Sequence, residues 1–325
     1  MANQVARFIV PINLNQRAFE LCLEAHAAAE ELRIRGRQEL GSALILDFGV
    51  EAAGGLEAGL RLAEICTAGL AQISLVPADR STWRGAAVQV VTDDAVRACM
   101  GAQYAGWKLA HGKYFAMGSG PMRAAAGKEA IFDTIGFRET TEVAVGVLES
   151  SKLPPGEMCQ MVAADCRVGP AQLVLCVAPT ASQAGTIQIV ARSVETALHK
   201  LHELGFDLAR VASAFGTAPL PPVAADDLSA IGRTNDAVLY GGEVTLWVGG
   251  DDESVADIGP RVPSGASSDF GEPFAAIFRR YDCDFYKIDP HLFSPAAVTF
   301  CNLDTGRTQR FGQVLPEVIQ KSFLS

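Results

Sequence analysis

Apolar residues recur at three- and four-residue spacing from Leu14 to Arg35, a stretch rich in Ala, Glu and Leu, and predict a helix there. Ser42 to Val50, Gln72 to Val76 and Ala86 to Thr92 read as strands, with a short helix over Gly59 to Cys66. A helix over Val96 to Ala102 leads into Gly106-Trp107. An apolar strand from Tyr114 follows and stops at Gly118-Ser119-Gly120-Pro121. Glu142 to Leu148 alternates as a strand does, and Gln172 to Ala178 is a continuous apolar run, the pattern of a strand covered on both faces. Thr180-Ala181-Ser182 is a helix-entry cluster, and a helix is predicted over Val190 to Leu204 with Gly205 as its C-terminal stop. Further on, Ala237 to Tyr240 and Val244 to Val248 flank Gly241-Gly242 as a hairpin. Ala297 to Leu303 precedes a second hairpin signal, Asp304-Thr305-Gly306, and helices are predicted over Pro273 to Tyr281 and Pro316 to Phe323. Helices and strands mix without a βαβ rhythm, so the expected class is α+β with mixed sheets rather than a doubly wound fold. A chain of 325 residues corresponds to about two domains, placed at 1–178 and 179–325 with the termini free to cross over.

Composition narrows this reading. The chain is 49% hydrophobic and 20% charged with mean hydropathy +0.19, enough apolar material for an ordered core. The net charge of −10 argues against nucleic acid as a partner, because phosphate binding needs a basic face. There is no membrane-length apolar run, and the first residues, with Arg7, Pro11 and Asn13, carry no secretion-signal core, so a cytoplasmic protein is expected. Eight cysteines without a C-x-x-C pair read as reduced, buried thiols, and zinc is not expected.

The candidate chemistry is sparse. No dinucleotide or P-loop fingerprint occurs, and His199-Lys200-Leu201-His202-Glu203 has its Glu in the wrong place for a zinc protease. Asp282, Asp284 and Asp289 read either as a solvated turn or as a cation site. The Gly-Ser-Gly-Pro turn is either a plain tight turn or a close approach of backbone to a ligand. On the helix over Val190 to Leu204, apolar residues from Val190 to Leu204 share one stripe while Arg192, Glu195 and His199 share the other face. That pair is either an exposed i,i+3 ion pair or the lining of a cleft, in which an Arg-held Glu takes a proton from water.

Several segments in order resemble one family. They are Ala105-Gly106-Trp107, Tyr114 to Pro121, Ala178 to Ser182, Arg192 to Ala197, Thr234-Asn235-Asp236, Tyr240-Gly241 and Asp284 to Pro295. Together they resemble the methenyltetrahydromethanopterin cyclohydrolases, in the form found in methylotrophic bacteria, over nearly the whole chain. The resemblance implies reversible hydrolysis of an N5,N10-methenyl pterin, in its dephosphorylated form, to the N5-formyl pterin, in a formaldehyde-oxidation route. It also implies a homotrimer of two-domain subunits with a large pocket between the domains and no metal or redox cofactor. The family's R-x-x-E motif maps onto Arg192 and Glu195, which implies Glu195 as the water-activating base and Arg192 as its partner. Substrate-binding candidates are Tyr104, Gly118, Ser119, Gly120, Pro121, Asn235, Asp236, Tyr286, Lys287, Asp289 and Phe293. Tyr104 stands where some members carry a Lys, so a cationic role there passes to Lys108 or Arg123. Two other classes fit the same residues: a one-carbon transferase using the same pterin, and a non-catalytic pterin-binding protein.

Overall fold

The computed structural model describes residues 12–324, with Tyr286 described by its backbone alone. The residues on which the reading of no secretion signal rests therefore lie mostly outside the described part. Among the described residues, strands run in chain order as β1 (Arg35–Arg37), β2 (Leu44–Asp47), β3 (Gln72–Pro77), β4 (Ala86–Thr92), β5 (Trp107–His111) and β6 (Tyr114–Ser119). They continue as β7 (Ala144–Glu149), β8 (Leu173–Ala178), β9 (Val211–Pro219), β10 (Glu243–Val248), β11 (Ala297–Asn302) and β12 (Thr308–Gly312). They form two six-stranded sheets, ordered β1-β2-β8-β7-β6-β5 and β12-β11-β10-β9-β4-β3. Both sheets are mixed: β2, β8 and β7 are parallel in the first, β10 and β11 in the second, and the other pairings are antiparallel. The α+β class with mixed sheets is what the structure shows.

Burial explains the pattern. β8, Leu-Val-Leu-Cys-Val-Ala, sits between β2 and β7 and is buried at every position, as its unbroken apolar run requires. On one face of this sheet a buried apolar cluster includes Leu46, Val145 and Cys176 and continues without interruption to Val88, Ala214 and Val244 of the second sheet. A smaller cluster covers the other face, where Met158 and Val162 of the helix Gly156–Asp165 pack. The hairpin β3–β4, from the first half of the chain, joins the second sheet by pairing β4 with β9, Ala87 facing Pro219 and Thr92 facing Ala214.

The helix predicted over Leu14 to Arg35 ends at Ala27, followed by the single turn Ala29–Leu32 and by β1 from Arg35, and three other local expectations change. The helix predicted over Val190 to Leu204 is two helices, Gln183–Val190 and Ser193–Glu203. Ser182 caps the first by accepting from the Gly185 N–H at 3.0 Å. The chain turns at Ala191-Arg192, where the Ala191 carbonyl accepts from the Gln103 side chain at 3.1 Å. The hairpin predicted around Gly241-Gly242 is absent, because Asp227–Gly241 is one helix, capped by Asp226, and only Glu243–Val248 is a strand. The two glycines serve close packing: a Cβ on Gly241 would lie 2.6 Å from Pro219, and one on Gly242 2.5 Å from the Val238 carbonyl. Third, six cysteines are buried as expected, but Cys283 is exposed in a turn and Cys301, on the interior strand β11, is partly exposed. Among the described residues no helix is long and apolar enough to cross a membrane.

Candidate active site

The site forms where the end of β6 meets the helix Ser193–Glu203, which packs on β9 and β10 of the second sheet. Gly216 of β9 makes that approach possible, since a Cβ there would lie 2.6 Å from Ser193 Oγ and 2.8 Å from Val194. The segment Val96–Gln103 winds as a π-helix, a form that often marks functional positions, and delivers Gln103 and Tyr104 to the same place.

Arg192 and Glu195, the pair that could have been solvent-exposed, are buried, at 8% and 5% exposure. Their side chains approach to 3.9 Å, the range of an ion pair rather than a hydrogen bond. Arg192 is fixed on its other side. Nη1 donates to the Gln103 carbonyl at 2.5 Å and Nη2 to Ser119 Oγ at 3.0 Å. Ser119 in turn donates to the Val147 carbonyl at 3.2 Å. Burial pushes the Glu195 carboxyl up to about 7, against the opposing pull of Arg192 and Arg123. A carboxyl poised there is half ionised near neutrality, which is where a general base works best.

The Gly-Ser-Gly-Pro turn takes its place in this wall. Gly120 has φ +90° and its N–H is committed to the Ala102 carbonyl at 2.9 Å. A Cβ on Gly120 would press on Val147 N at 3.2 Å and the Val145 carbonyl at 3.3 Å, so the turn is built for backbone packing. Pro121 is held from outside, its carbonyl accepting from Asn15 Nδ2 at 2.9 Å, while Asn15 Oδ1 accepts from the Val145 N–H at 3.0 Å. The turn thus carries Ser119 to Arg192.

Tyr104 stacks on His199 with centroids 5.0 Å apart, one helical turn beyond Glu195. Desolvation, with the nearby Glu195 charge, pushes its phenol up to about 12, so it stays neutral. The cation on its ring is Arg123, 4.7 Å from the centroid, fully buried and paired with Glu129 at 2.8 Å. Lys108 is exposed on β5. His199 is held below its ordinary value, chiefly by burial.

The remaining candidates are placed differently. Asp236 is wholly buried, Oδ1 accepting from the Phe274 N–H at 2.7 Å, and Asn235 Nδ2 returns to its own helix at the Ile231 carbonyl. Phe293 belongs to an aromatic cluster with Phe274 and Phe285. Lys287 is exposed and pairs with Asp282 at 2.9 Å. Asp289 accepts from Ser267 at 2.6 Å and caps the turn Pro290–Leu292. That turn is tied to the Glu195 helix, because the buried Lys200 donates to the His291 carbonyl at 2.5 Å. Among the described residues no His, Cys, Asp and Glu cluster suits a metal ion, and the acidic triplet is a turn with its own local partners.

Sequence reasoning did not single out Gln103, Gln188, Cys66 or Glu149 as site residues. Gln103 bonds at once to Ala191 and Arg192. Gln188 donates to Cys66 Sγ at 3.4 Å, and Cys66 contacts Ser119 Oγ at the same distance. Only the position of Gln103 beside Tyr104 gave a signal.

A profile of the cyclohydrolase (MCH) family matches residues 13–323. The chain belongs to this family. It is 50% identical over 295 residues to the methenyltetrahydromethanopterin cyclohydrolase of Xanthobacter autotrophicus, covering 91% of this chain and 88% of that protein. It is also 50% identical over 289 residues to that of Rhodopirellula baltica, covering 87% of each. With the protein of the same name from Methanococcoides burtonii it shares 38% over 314 residues, covering 96% and 98%. The two wall segments, Tyr114 to Pro121 and Arg192 to Glu195, thus meet in a cyclohydrolase, an enzyme that opens a cyclic C–N bond with water.

Proposed function

We propose that this cyclohydrolase reversibly hydrolyses N5,N10-methenyl-tetrahydromethanopterin, or its dephosphorylated form, to N5-formyl-tetrahydromethanopterin, with Glu195 activating water beside Arg192. The observation that carries the mechanism is the buried Arg192–Glu195 pair with its carboxyl raised to about 7. The methenyl group is part of an amidinium cation, so its carbon is electrophilic without a Lewis acid, and the reading requires no metal or redox cofactor. Glu195 takes a proton as the water oxygen bonds to the methenyl carbon, and the C=N π pair returns to nitrogen. The adduct then loses its hydroxyl proton while the C–N10 bond breaks and N10 is protonated, leaving the N5-formyl group. Arg192, anchored by Gln103 and Ser119, faces the oxygen on which charge develops. The homotrimeric, cytoplasmic form implied by the family resemblance goes with this reading.

The test is loss of the methenyl chromophore on adding the protein with no second substrate, run in parallel with the methanopterin and folate forms. Accelerated decay of the methanopterin form supports the reading, and no acceleration with either pterin overturns it. A requirement for an acceptor would point to a transferase. The pH profile follows from the base: Glu195 must be ionised, so kcat/KM should rise with pH through about 7 and level off above it. A flat profile between pH 5.5 and 8 would remove Glu195 from the role.

A further inference from the structure

Glu149 is a half-buried carboxylate that the water-activating step leaves unused. It ends β7 beside Ala178, which ends the parallel strand β8, and opposite Met117 of β6, two residues before Ser119. The crevice outside the carboxyl ends of parallel strands is where open mixed sheets take their ligands. The hydroxyl of Thr180 donates to Glu149 Oε1 and fixes the carboxylate's direction. Desolvation raises this carboxyl, Arg192 pulls it down, and Asp227 pushes it up again. Arg192 thus pairs with Glu195 and also acts at longer range on the Glu149 charge. Burying a carboxylate is costly unless donors compensate it, and Glu149 keeps part of its surface open.

We infer that Glu149 is a specificity-determining residue: its carboxylate receives the N–H edge of the 2-amino-4-oxo ring of the pterin. This rests on the pterin reading above. That edge presents two neighbouring donors, the ring N3–H and the 2-amino group, and a carboxylate accepts two parallel N–H bonds. Asp236, an acid among the substrate-binding candidates, is by contrast wholly buried, with one oxygen taken by the Phe274 N–H. Glu149 and Thr180 hold the ring edge while Arg192 and Glu195 attend to the reacting carbon.

The experiment is equilibrium binding, followed by quenching of intrinsic fluorescence, of N5-formyl-tetrahydromethanopterin and of its analogue lacking the 2-amino group. Wild type should bind the parent pterin at least tenfold more tightly than the analogue. Glu149→Gln should lose most of that preference, weakening the parent tenfold or more and the analogue by threefold or less. Glu149→Asp, which keeps the charge but shortens its reach, should fall between. Equal weakening of both ligands in Glu149→Gln, or no weakening of either, overturns the inference, as does a wild type that binds neither. A wild type that discriminates the two ligands through Glu149 but does not open the methenyl ring upholds the inference and sinks the proposed function.

Discussion

Glu195→Gln is expected to lower kcat by about 10²- to 10⁴-fold, the contribution of a positioned general base, while pterin binding is retained. Gln is nearly the same shape, so the contacts of Arg192 to Gln103 and Ser119 should persist. The same substitution should stabilise the protein above neutral pH. The folded carboxyl of Glu195 lies near 7, above its ordinary value of 4.5, because burial disfavours its charge. Between those values the folded state binds more protons than the unfolded one. The contribution of Glu195 to stability is therefore complete below about pH 4.5 and is lost as pH rises through about 7. At pH 8 the Gln variant escapes that cost and should be more stable than wild type by about 3 kcal/mol, with most of the difference gone by pH 5. Steady-state turnover of the methenyl pterin and urea unfolding at the two pH values measure both effects. Unchanged turnover would remove Glu195 from the mechanism.

Gly185→Ala is expected to be the most damaging of the small changes near the site. A Cβ at Gly185 would lie 1.9 Å from the Pro179 carbonyl oxygen and 2.8 Å from its carbon, both rigid backbone. The turn Pro179–Ser182 has to move, and with it the Ser182 cap and Thr180, whose hydroxyl holds Glu149. Overpacking of this kind costs about 2–3 kcal/mol. Gly156→Ala is the control: nothing lies within 4 Å of a Cβ there, and it begins a helix, so it should be neutral or slightly stabilising. Urea midpoints for the two variants should separate clearly. A midpoint for Gly185→Ala equal to wild type would show that the turn gives way freely.

Much of the fold was legible because local pattern and tertiary environment agree. β4 and the helix Pro316–Phe323 fall where alternation and helical spacing put them. Ala237 to Tyr240 misleads for an identifiable reason: Val-Leu-Tyr before two glycines is a strand-and-turn signature. Yet Ala230, Thr234, Ala237, Val238 and Gly241 are buried at helical spacing. The decision comes from Pro219 and Ala275, whose closeness only glycine admits and which lie far away in sequence. The site divides in the same way. Arg192 and Glu195 are spaced like any surface ion pair, and what buries them is the π-helix bearing Gln103 and the turn bearing Ser119. Those partners lie 89 and 73 residues away, beyond the reach of local pattern. Family resemblance supplied the pair, whereas Glu149 had nothing to mark it, since a polar residue closing an apolar strand is ordinary.

The adoption of β3–β4 by the second sheet bears on how the chain is made. During synthesis the hairpin leaves the ribosome with its residues at 72–92, but its partner β9 spans Val211–Pro219, more than a hundred residues later. The strands of the first sheet are all out by Ala178, so that layer can assemble while the hairpin is still waiting. Val91 and Val88, on a strand whose later neighbour has not been translated, must be kept from pairing elsewhere in that interval. Slowing translation between codons 92 and 211 should therefore raise the aggregated fraction of nascent chains, whereas the same pause placed after β9 has cleared the ribosome should not.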